Sequence, residues 1–450
     1  MKHIRIKKGH DLRIAGKPEK VIRSLAAPQQ LKIEPLNFPG IKAKLLVKEG
    51  DVVKLGSPLF FDKLHPPVKF TAPGGGKISG IRFGDRHRIE EIILDLSAEE
   101  GAVDFGAHDS NAISNLSASD IKENLLESGL WPVLRQRPFS KIADPATEPK
   151  AIFISAKRTA PFAPDIEFLL TKNSAGFQTG LDILAKLTPG KVNLVIPENS
   201  NSVSLTEARN VELYSISGPH PAGNVGIQIH HINPIKAGDI VWYLDVQEVM
   251  AIGQLFSSGK LPVEKIICAG GSSLAKQHYL KIRRGMLLKD ILKDNPISGE
   301  ARIISGDVLT GKAVGLENSL GFYDEIVSVI PEGRKRQFLG WLKPGWDTYS
   351  LSNTFFSRLR PQKDAVLTTN RNGGVRAIVP FGNWESVLPM DILPNYLVKS
   401  TLARDIDDME KLGIYECDPE DFALCAFACT SKQEVSRIIE EGLEFIEAEG

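Results

Sequence analysis

GLWPVLRQRPFSK, residues 129–141, lies between a helix pattern and a buried-strand pattern, and how it is read decides the fold. Upstream, Ser117–Gly129 predicts a helix. Ser119 is placed to cap it, Asp120 sits in its first turn, Ile121, Leu125 and Leu126 form an apolar stripe, and Gly129 stops it. Downstream, AIFISA (151–156) predicts a buried strand, Gly176–Leu187 a helix and KVNLVI (191–196) a second strand. This β-α-β alternation predicts a Rossmann-like parallel sheet with right-handed crossovers. In such a unit ligands lodge in the crevice beyond the strand ends. The stretch at that place lacks the glycines through which a backbone approaches a phosphate. It carries Trp131, Arg135, Arg137, Phe139, Lys141 and two prolines instead. Flat apolar surface beside cationic donors marks a ligand crevice whose content the residues alone leave open.

The totals exclude several classes. At 450 residues the chain is too long for one core, and roughly three or four domains are expected. Fifty-five Lys and Arg balance 55 Asp and Glu, so no global field favours nucleic acid. No run approaches the ~20 apolar residues of a membrane helix. The start, MKHIRIKKGH, has no apolar core of a secretory signal, and four cysteines make no disulfide framework. A cytoplasmic protein is expected.

Four regions are predicted. Residues 1–100 hold an irregular opening (1–40, punctuated by Gly and Pro) and then short alternating strands over Lys44–Leu96, with turns at Gly50 and Gly56. That skeleton resembles a biotinyl/lipoyl hammerhead, and Lys63 in FDKLHPP falls near the hairpin tip that carries a modified Lys in carriers of that fold. A structural hammerhead is the expectation. Gly74–Gly76 is expected to be a turn needing positive φ, with no helix after it to form a phosphate cradle. Residues 101–258 form the α/β domain, ending in an amphipathic helix, Asp245–Ser257. Residues 259–333 predict a β-grasp module: strands at VEKIICAGG and Tyr279–Ile282, then a short helix at Leu287–Leu292. Residues 334–450 predict a mainly helical domain. Ser431 and Glu434 have capping-box spacing, and Val435, Ile438, Ile439, Leu443 and Ile446 form the apolar face of the last helix.

Few motifs carry chemistry. Cys417, Cys425 and Cys429 keep only the last spacing of a ferredoxin run, with Thr430 in the place of its proline, and are expected to pack as small apolar residues. Cys268 is expected in the core. His220, His230 and His231 fall in a turn-rich loop, Gly218–Pro234, that feeds a short strand. On a strand His230 and His231 would face opposite sides and could not share a metal. A neutral imidazole from His220 or His230 could instead donate to a ligand carbonyl. No G-x-S-x-G, P-loop or G-x-G-x-x-G is present, so a complete catalyst is not expected.

Several segments together carry a family likeness: IKKGHDLRIAGKP, FTAPGGGKI, ESGLWPVLRQRPFSK, TGLDILAKLTPGKV, GPHPAGNVGIQIHHINPI, AIGQLFSSGKL, ARIISGDVLTG, LPMDILPNYL and FALCAFAC. With them the chain resembles, along its full length, the NqrA family, one of the subunits of the bacterial sodium-translocating NADH:quinone oxidoreductases. More distantly it resembles the C subunit of the Rnf complex and the NADH-oxidising flavoprotein subunit of complex I. Those distant relatives hold FMN on a glycine-rich loop and carry cysteine cluster ligands. Here Trp131–Phe139 stands in place of that loop, Gly382-Asn383-Trp384-Glu385 in place of the first cluster motif, and three cysteines in place of the second. The resemblance implies a peripheral subunit on the cytoplasmic face of the bacterial inner membrane, with five partner subunits, some of them integral. It implies non-covalent ubiquinone binding in support of quinone reduction coupled to Na⁺ export, with FMN and iron–sulfur centres on other subunits. The candidate quinone contacts are Trp131, Arg135, Arg137, Phe139, His220 and His230, with no metal ligand. The alternative is an assembly subunit with quinone bound elsewhere.

Overall fold

The computed structural model describes residues 1–334, 338–359 and 363–449. Residues 335–337, 360–362 and 450, all in the predicted helical region, lie outside the described residues. The α/β sheet has seven strands in the order Lys2–Arg5, Glu212–Ser217, Lys191–Pro197, Ala151–Ser155, Val241–Asp245, Arg135–Arg137 and Lys141–Ile142. The first five run parallel, Arg135–Arg137 pairs antiparallel to Val241–Asp245, and Lys141–Ile142 pairs antiparallel to Arg135–Arg137. Ala151–Ser155 is buried at every position, which is why it reads as an unbroken apolar run. The helices Phe177–Leu184 and Val246–Ser258 fall where apolar periodicity places them.

The other layers surround this sheet. A barrel of two small sheets is built from Gln30–Ile33, Ile89–Leu96, Gly76–Phe83 and Val52–Val53, and from Ala43–Leu45, Pro58–Asp62 and Lys69–Thr71. Phe60 and Phe70 stack between strands of the second sheet, 4.4 Å apart. A six-stranded β-grasp sheet is centred on Ile326–Pro331 and Glu264–Gly270. Five helices, from Asn383–Val387 to Val435–Glu449, form the C-terminal layer among the described residues. Its last helix buries Val435, Ile438, Ile439, Leu443 and Ile446, as their spacing predicts. The fold is thus α/β and multidomain, with the expected barrel, Rossmann-like, β-grasp and helical parts.

Five local expectations are corrected. Residues 1–40 are not irregular: Lys2–Arg5 pairs with Glu212–Ser217, Glu19–Ser24 edges the β-grasp sheet, and Gln30–Ile33 joins the barrel. The first two strands are mostly exposed, so neither shows apolar alternation, and distant partners define them. The helix Ala118–Glu127 is capped by Ser117 rather than Ser119: the Ser117 hydroxyl accepts from the Asp120 amide while Asp120 accepts from the Ser117 amide. Gly74–Gly76 have no positive φ; they are small because Leu96, Glu100 and Asp95 press on them. His230 and His231 lie on a helix, Val225–Ile232, because Val225, Ile227 and Ile229 pack around it. Ser431 makes no capping box: its hydroxyl donates to the Ala377 carbonyl, and Glu434 pairs with Arg371.

Two contacts lock the layers around Gly129–Lys141. Gly129 has φ +72°, and a Cβ there would sit 2.4 Å from Thr71 Oγ1, so only glycine lets the barrel close on this turn. Thr71 then donates to the Ser128 carbonyl at 2.8 Å. From the β-grasp side, the Tyr323 hydroxyl donates to the Pro132 carbonyl at 2.9 Å.

Candidate functional site

The crevice where a doubly wound sheet usually binds lies beyond Ser155 and Asp245, where connections leave in opposite directions. Here it is filled. Arg158 pairs with Asp245 and, at 3.2 Å, with Glu325, and Gln247 bonds Glu325 at 2.8 Å. Two carboxylates facing inward there would repel a phosphate. The thiols do not fit a cluster as they stand. Cys417 and Cys425 are buried, burial pushes both up in pKa, and they donate to the carbonyls of Gly413 and Trp384. Cys429 and Cys268 are also buried among apolar groups, as expected.

The sequence-selected residues lie mostly inside the protein. Trp131 is completely buried, donates Nε1–H to the Ala143 carbonyl at 2.7 Å and meets the Trp242 ring edge-on at 5.4 Å. Arg135 lies between the Tyr243 and Tyr323 rings, 5.0 and 4.9 Å from their centroids, and donates to the Ser140 carbonyl. Arg137 is completely buried and faced by acids on both terminal nitrogens, Asp421 at 2.7 Å, Glu420 at 3.2 Å and Asp418 at 3.8 Å, while its Nε has no partner among the described residues. Phe139 is half-buried, edge-on to Tyr415, with Lys141 over its face.

The two histidines sit elsewhere. His220 is buried; its Nδ1 faces Thr159 Oγ1 at 3.2 Å, and burial lowers its pKa to about 4, so the ring is neutral near pH 7. Its Nε2 finds no partner among the described residues. His230 Nε2 accepts from the Asp391 amide, which leaves Nδ1 to donate to Glu416. The structure therefore brings Arg135 and Arg137 together through Tyr243 and ties Arg137 to the start of the His230 helix. A Cβ on Gly226 would collide with both Arg137 and Asp421. It does not assemble the six into one open site.

An open site lies on the other side of the same stretch. Between the two pins at Thr71 and Tyr323 is a cleft of about 860 Å³, mouth included, floored by Gly129, Leu130 and Pro132. Phe38 is at its centre, 4.5 Å from the Phe70 ring and 4.8 Å from Phe322. Arg284 stacks on Phe322 at 4.7 Å and ties one terminal nitrogen to Glu248, which also pairs with Lys265 at 3.3 Å. The Arg284 Nε and Nη1 are buried and find no acceptor among the described residues. An unpaired buried donor costs about 1–3 kcal/mol, so these two N–H groups favour a ligand oxygen. Asp324 also lines the cleft; burial raises its pKa, and Ser305 donates to it at 2.5 Å. Mostly apolar walls with one half-used guanidinium can hold a flat, uncharged ring with carbonyl acceptors.

Sequence reasoning missed Phe38, Glu248, Lys265, Arg284 and Phe322, which come from separate regions and form no local motif. It also missed Asp418, Glu420 and Asp421. Three acids in the four residues DPED, directly after Cys417, were a readable signal of a cation partner.

Fold and site describe a multidomain α/β scaffold whose nucleotide crevice is filled and whose open cleft suits a neutral ring. Family models match in three segments: the NqrA N-terminal barrel-sandwich hybrid domain over residues 4–97, the NqrA second alpha/beta domain over 116–261 and the NQRA C-terminal domain over 266–315. The NqrA subunit of the Na(+)-translocating NADH-quinone reductase of Tolumonas auensis is 40% identical over 99% of this chain and 100% of its own. The corresponding subunits from Yersinia pseudotuberculosis and Neisseria meningitidis are each 39% identical over the same shares. The chain belongs to the NqrA family of Na⁺-translocating NADH-quinone reductase subunits. Among solved structures, an H₂-reduced NAD⁺-reducing [NiFe]-hydrogenase matches 78% of this chain and 67% of its own at 12% identity and a TM-score of 0.39, too low to carry an argument.

Proposed function

We propose that the chain is the peripheral subunit of a Na⁺-pumping NADH:ubiquinone reductase that holds ubiquinone non-covalently for reduction by flavin and iron–sulfur centres on other subunits. No helix among the described residues is long and apolar enough to cross a membrane, which supports a peripheral place, on this reading at the cytoplasmic face. The observation that carries quinone binding is the cleft walled by Phe38, Phe70 and Phe322, with two unpaired Arg284 donors buried in its wall. In this reading Arg284 donates to a quinone carbonyl, Phe38 and Phe322 pack on the ring and exclude water, and Leu130 and Pro132 form the floor. Of the six residues selected from sequence, Trp131, Arg135 and Arg137 act behind this wall and hold the floor segment in place. Titrating purified chain with a short-chain ubiquinone, followed by Trp fluorescence and equilibrium dialysis, should give saturable binding. Absence of saturation by both methods would remove the proposal.

A second reading, an assembly subunit with quinone bound on its partners, is favoured by the buried acid–arginine network, which is built for rigidity. It predicts an intact complex whose quinone affinity is indifferent to Arg284.

A further inference from the structure

Residues 334–381 differ from the rest of the chain in charge and in exposure. They hold nine Lys and Arg against two Asp and Glu, in a chain that is neutral as a whole. Their described residues are held at several points: Ala365 bridges to Ile14, the Thr369 amide donates to the Pro331 carbonyl, and the Arg376 amide donates to the Ser431 carbonyl. Ahead of these points a loop, residues 338–359, folds on itself. Its Phe356 amide donates to the Pro344 carbonyl, Trp346 lies 5.1 Å from the Phe356 ring, and Tyr349 holds its base against His10 and Phe427. Although the base is held, the loop leaves large apolar side chains in solvent: Phe338 is 89% exposed and Leu359 66%, with Leu342 and Phe356 also exposed. Arg358 and Arg376, within the same stretch, are exposed as well. Side chains of this kind on a held loop mark an interaction surface.

We infer that this face is where the chain docks on another subunit of its complex, one offering an apolar surface rimmed by acidic side chains. The inference rests on the reading of the chain as one member of an assembly. Arg334 and Arg371 are spent on Glu300 and Glu434, but Arg358, Lys363 and Arg376 are exposed, and they select an acidic partner by charge complementarity. A protein partner fits better than a bilayer because the loop contains, among its described residues, only two short 3₁₀ turns, Gly340–Leu342 and Phe356–Leu359. The irregular backbone between them would be left without hydrogen-bond partners in hydrocarbon, whereas a protein surface can supply them.

The test uses the full complex, purified from membranes through a tag on a different subunit, with wild-type chain, F338S/F356S/L359S or R358E/R376E. Each variant is first shown to keep the wild-type unfolding midpoint and quinone affinity. Both are expected to lower recovery of this chain with the complex at least about tenfold, the scale of losing central contacts. A photoreactive phenylalanine analogue at Phe356 is expected to cross-link to an acidic segment of one partner subunit. Wild-type recovery of both variants would overturn the surface assignment while leaving the reading of the chain as part of a complex intact. Cross-linking to lipid alone, with salt-sensitive flotation of the chain on phosphatidylglycerol vesicles, would overturn it in favour of a bilayer. Failure of the wild-type chain to co-purify would remove both readings.

Discussion

Arg137 and Arg284 both sit at junctions between layers of the molecule, and they differ in how their donors are used. Arg137 is fully buried with Asp418, Glu420 and Asp421 around it. Arg284 spends one nitrogen on Glu248 and leaves two without acceptors, among the described residues, beside aromatic walls. A guanidinium whose two terminal nitrogens are both held by acids, with only a buried Nε unpaired, serves to align the elements that carry its partners. A half-used one is a recognition group awaiting an oxygen. Residue type alone does not separate these roles, because the sequence shows two arginines and the difference lies in their surroundings.

The strongest way to break this contrast is Arg137→Met. It removes the nearer of the two guanidinium groups that face Asp418, Glu420 and Asp421, and breaking a buried pair costs about 3–5 kcal/mol. Denaturant unfolding should show that loss, while quinone affinity below the transition stays at the wild-type value. A variant of normal stability that had lost quinone binding would transfer the recognition role to Arg137.

Arg284→Lys probes the other side with a smaller effect. Lysine keeps a positive charge toward Glu248 but lacks the planar fork that presents Nε and Nη1. Losing one hydrogen bond, about 1–1.5 kcal/mol, should weaken quinone affinity roughly tenfold with little change in unfolding midpoint. An affinity equal to wild type would favour the assembly reading.

These two arginines also show what is legible in the sequence. The parallel strands are, because Ala151–Ser155 and Lys191–Pro197 bury both faces and so become apolar runs. Lys2–Arg5 and Glu19–Ser24 are not, since exposed edge strands carry no such signature and depend on partners far along the chain. Gly129–Lys141 is, as its composition suggests, a place where layers meet. Its aromatic and basic residues invite an outward assignment, however, and Trp131, Arg135 and Arg137 turn inward against Trp242, Tyr243 and the acidic trio. The residues that face the cleft from this stretch are Gly129, Leu130 and Pro132, the least chemically distinctive in it. Phe38, Arg284 and Phe322 come together only in the folded chain.

Trp131→Phe separates packing from stacking on a ligand. The phenyl ring retains most of the apolar contact with Trp242 but leaves the buried Ala143 carbonyl without the indole N–H, at about 1–3 kcal/mol. A lower denaturant midpoint with unchanged slope and unchanged quinone affinity is expected. Tenfold weaker quinone binding at full stability would restore Trp131 as a ligand contact.

The smallest expected effect concerns pH and the acids around Arg137. Burial, with Asp418 and Asp421 beside it, raises the Glu420 carboxyl to about 8 against the opposing pull of the Arg137 and Arg135 guanidinium groups. A carboxyl whose folded pKa lies above its unfolded value binds its proton more tightly in the native state. Its contribution is therefore fully present below about pH 4.5 and is lost as pH rises toward 8. The slope cannot exceed about 1.4 kcal/mol per pH unit and should fall well below that, since the Glu420 side chain is 36% exposed and water screens it. Glu420→Gln, which keeps a group of the same shape without the titration, should flatten the fall in unfolding midpoint between pH 6 and 8 and leave quinone affinity unchanged. A quinone affinity that followed the same pH curve and lost it in Glu420→Gln would tie the acidic cluster to the cleft. The two arginines would then belong to one site, and the contrast between them would fail.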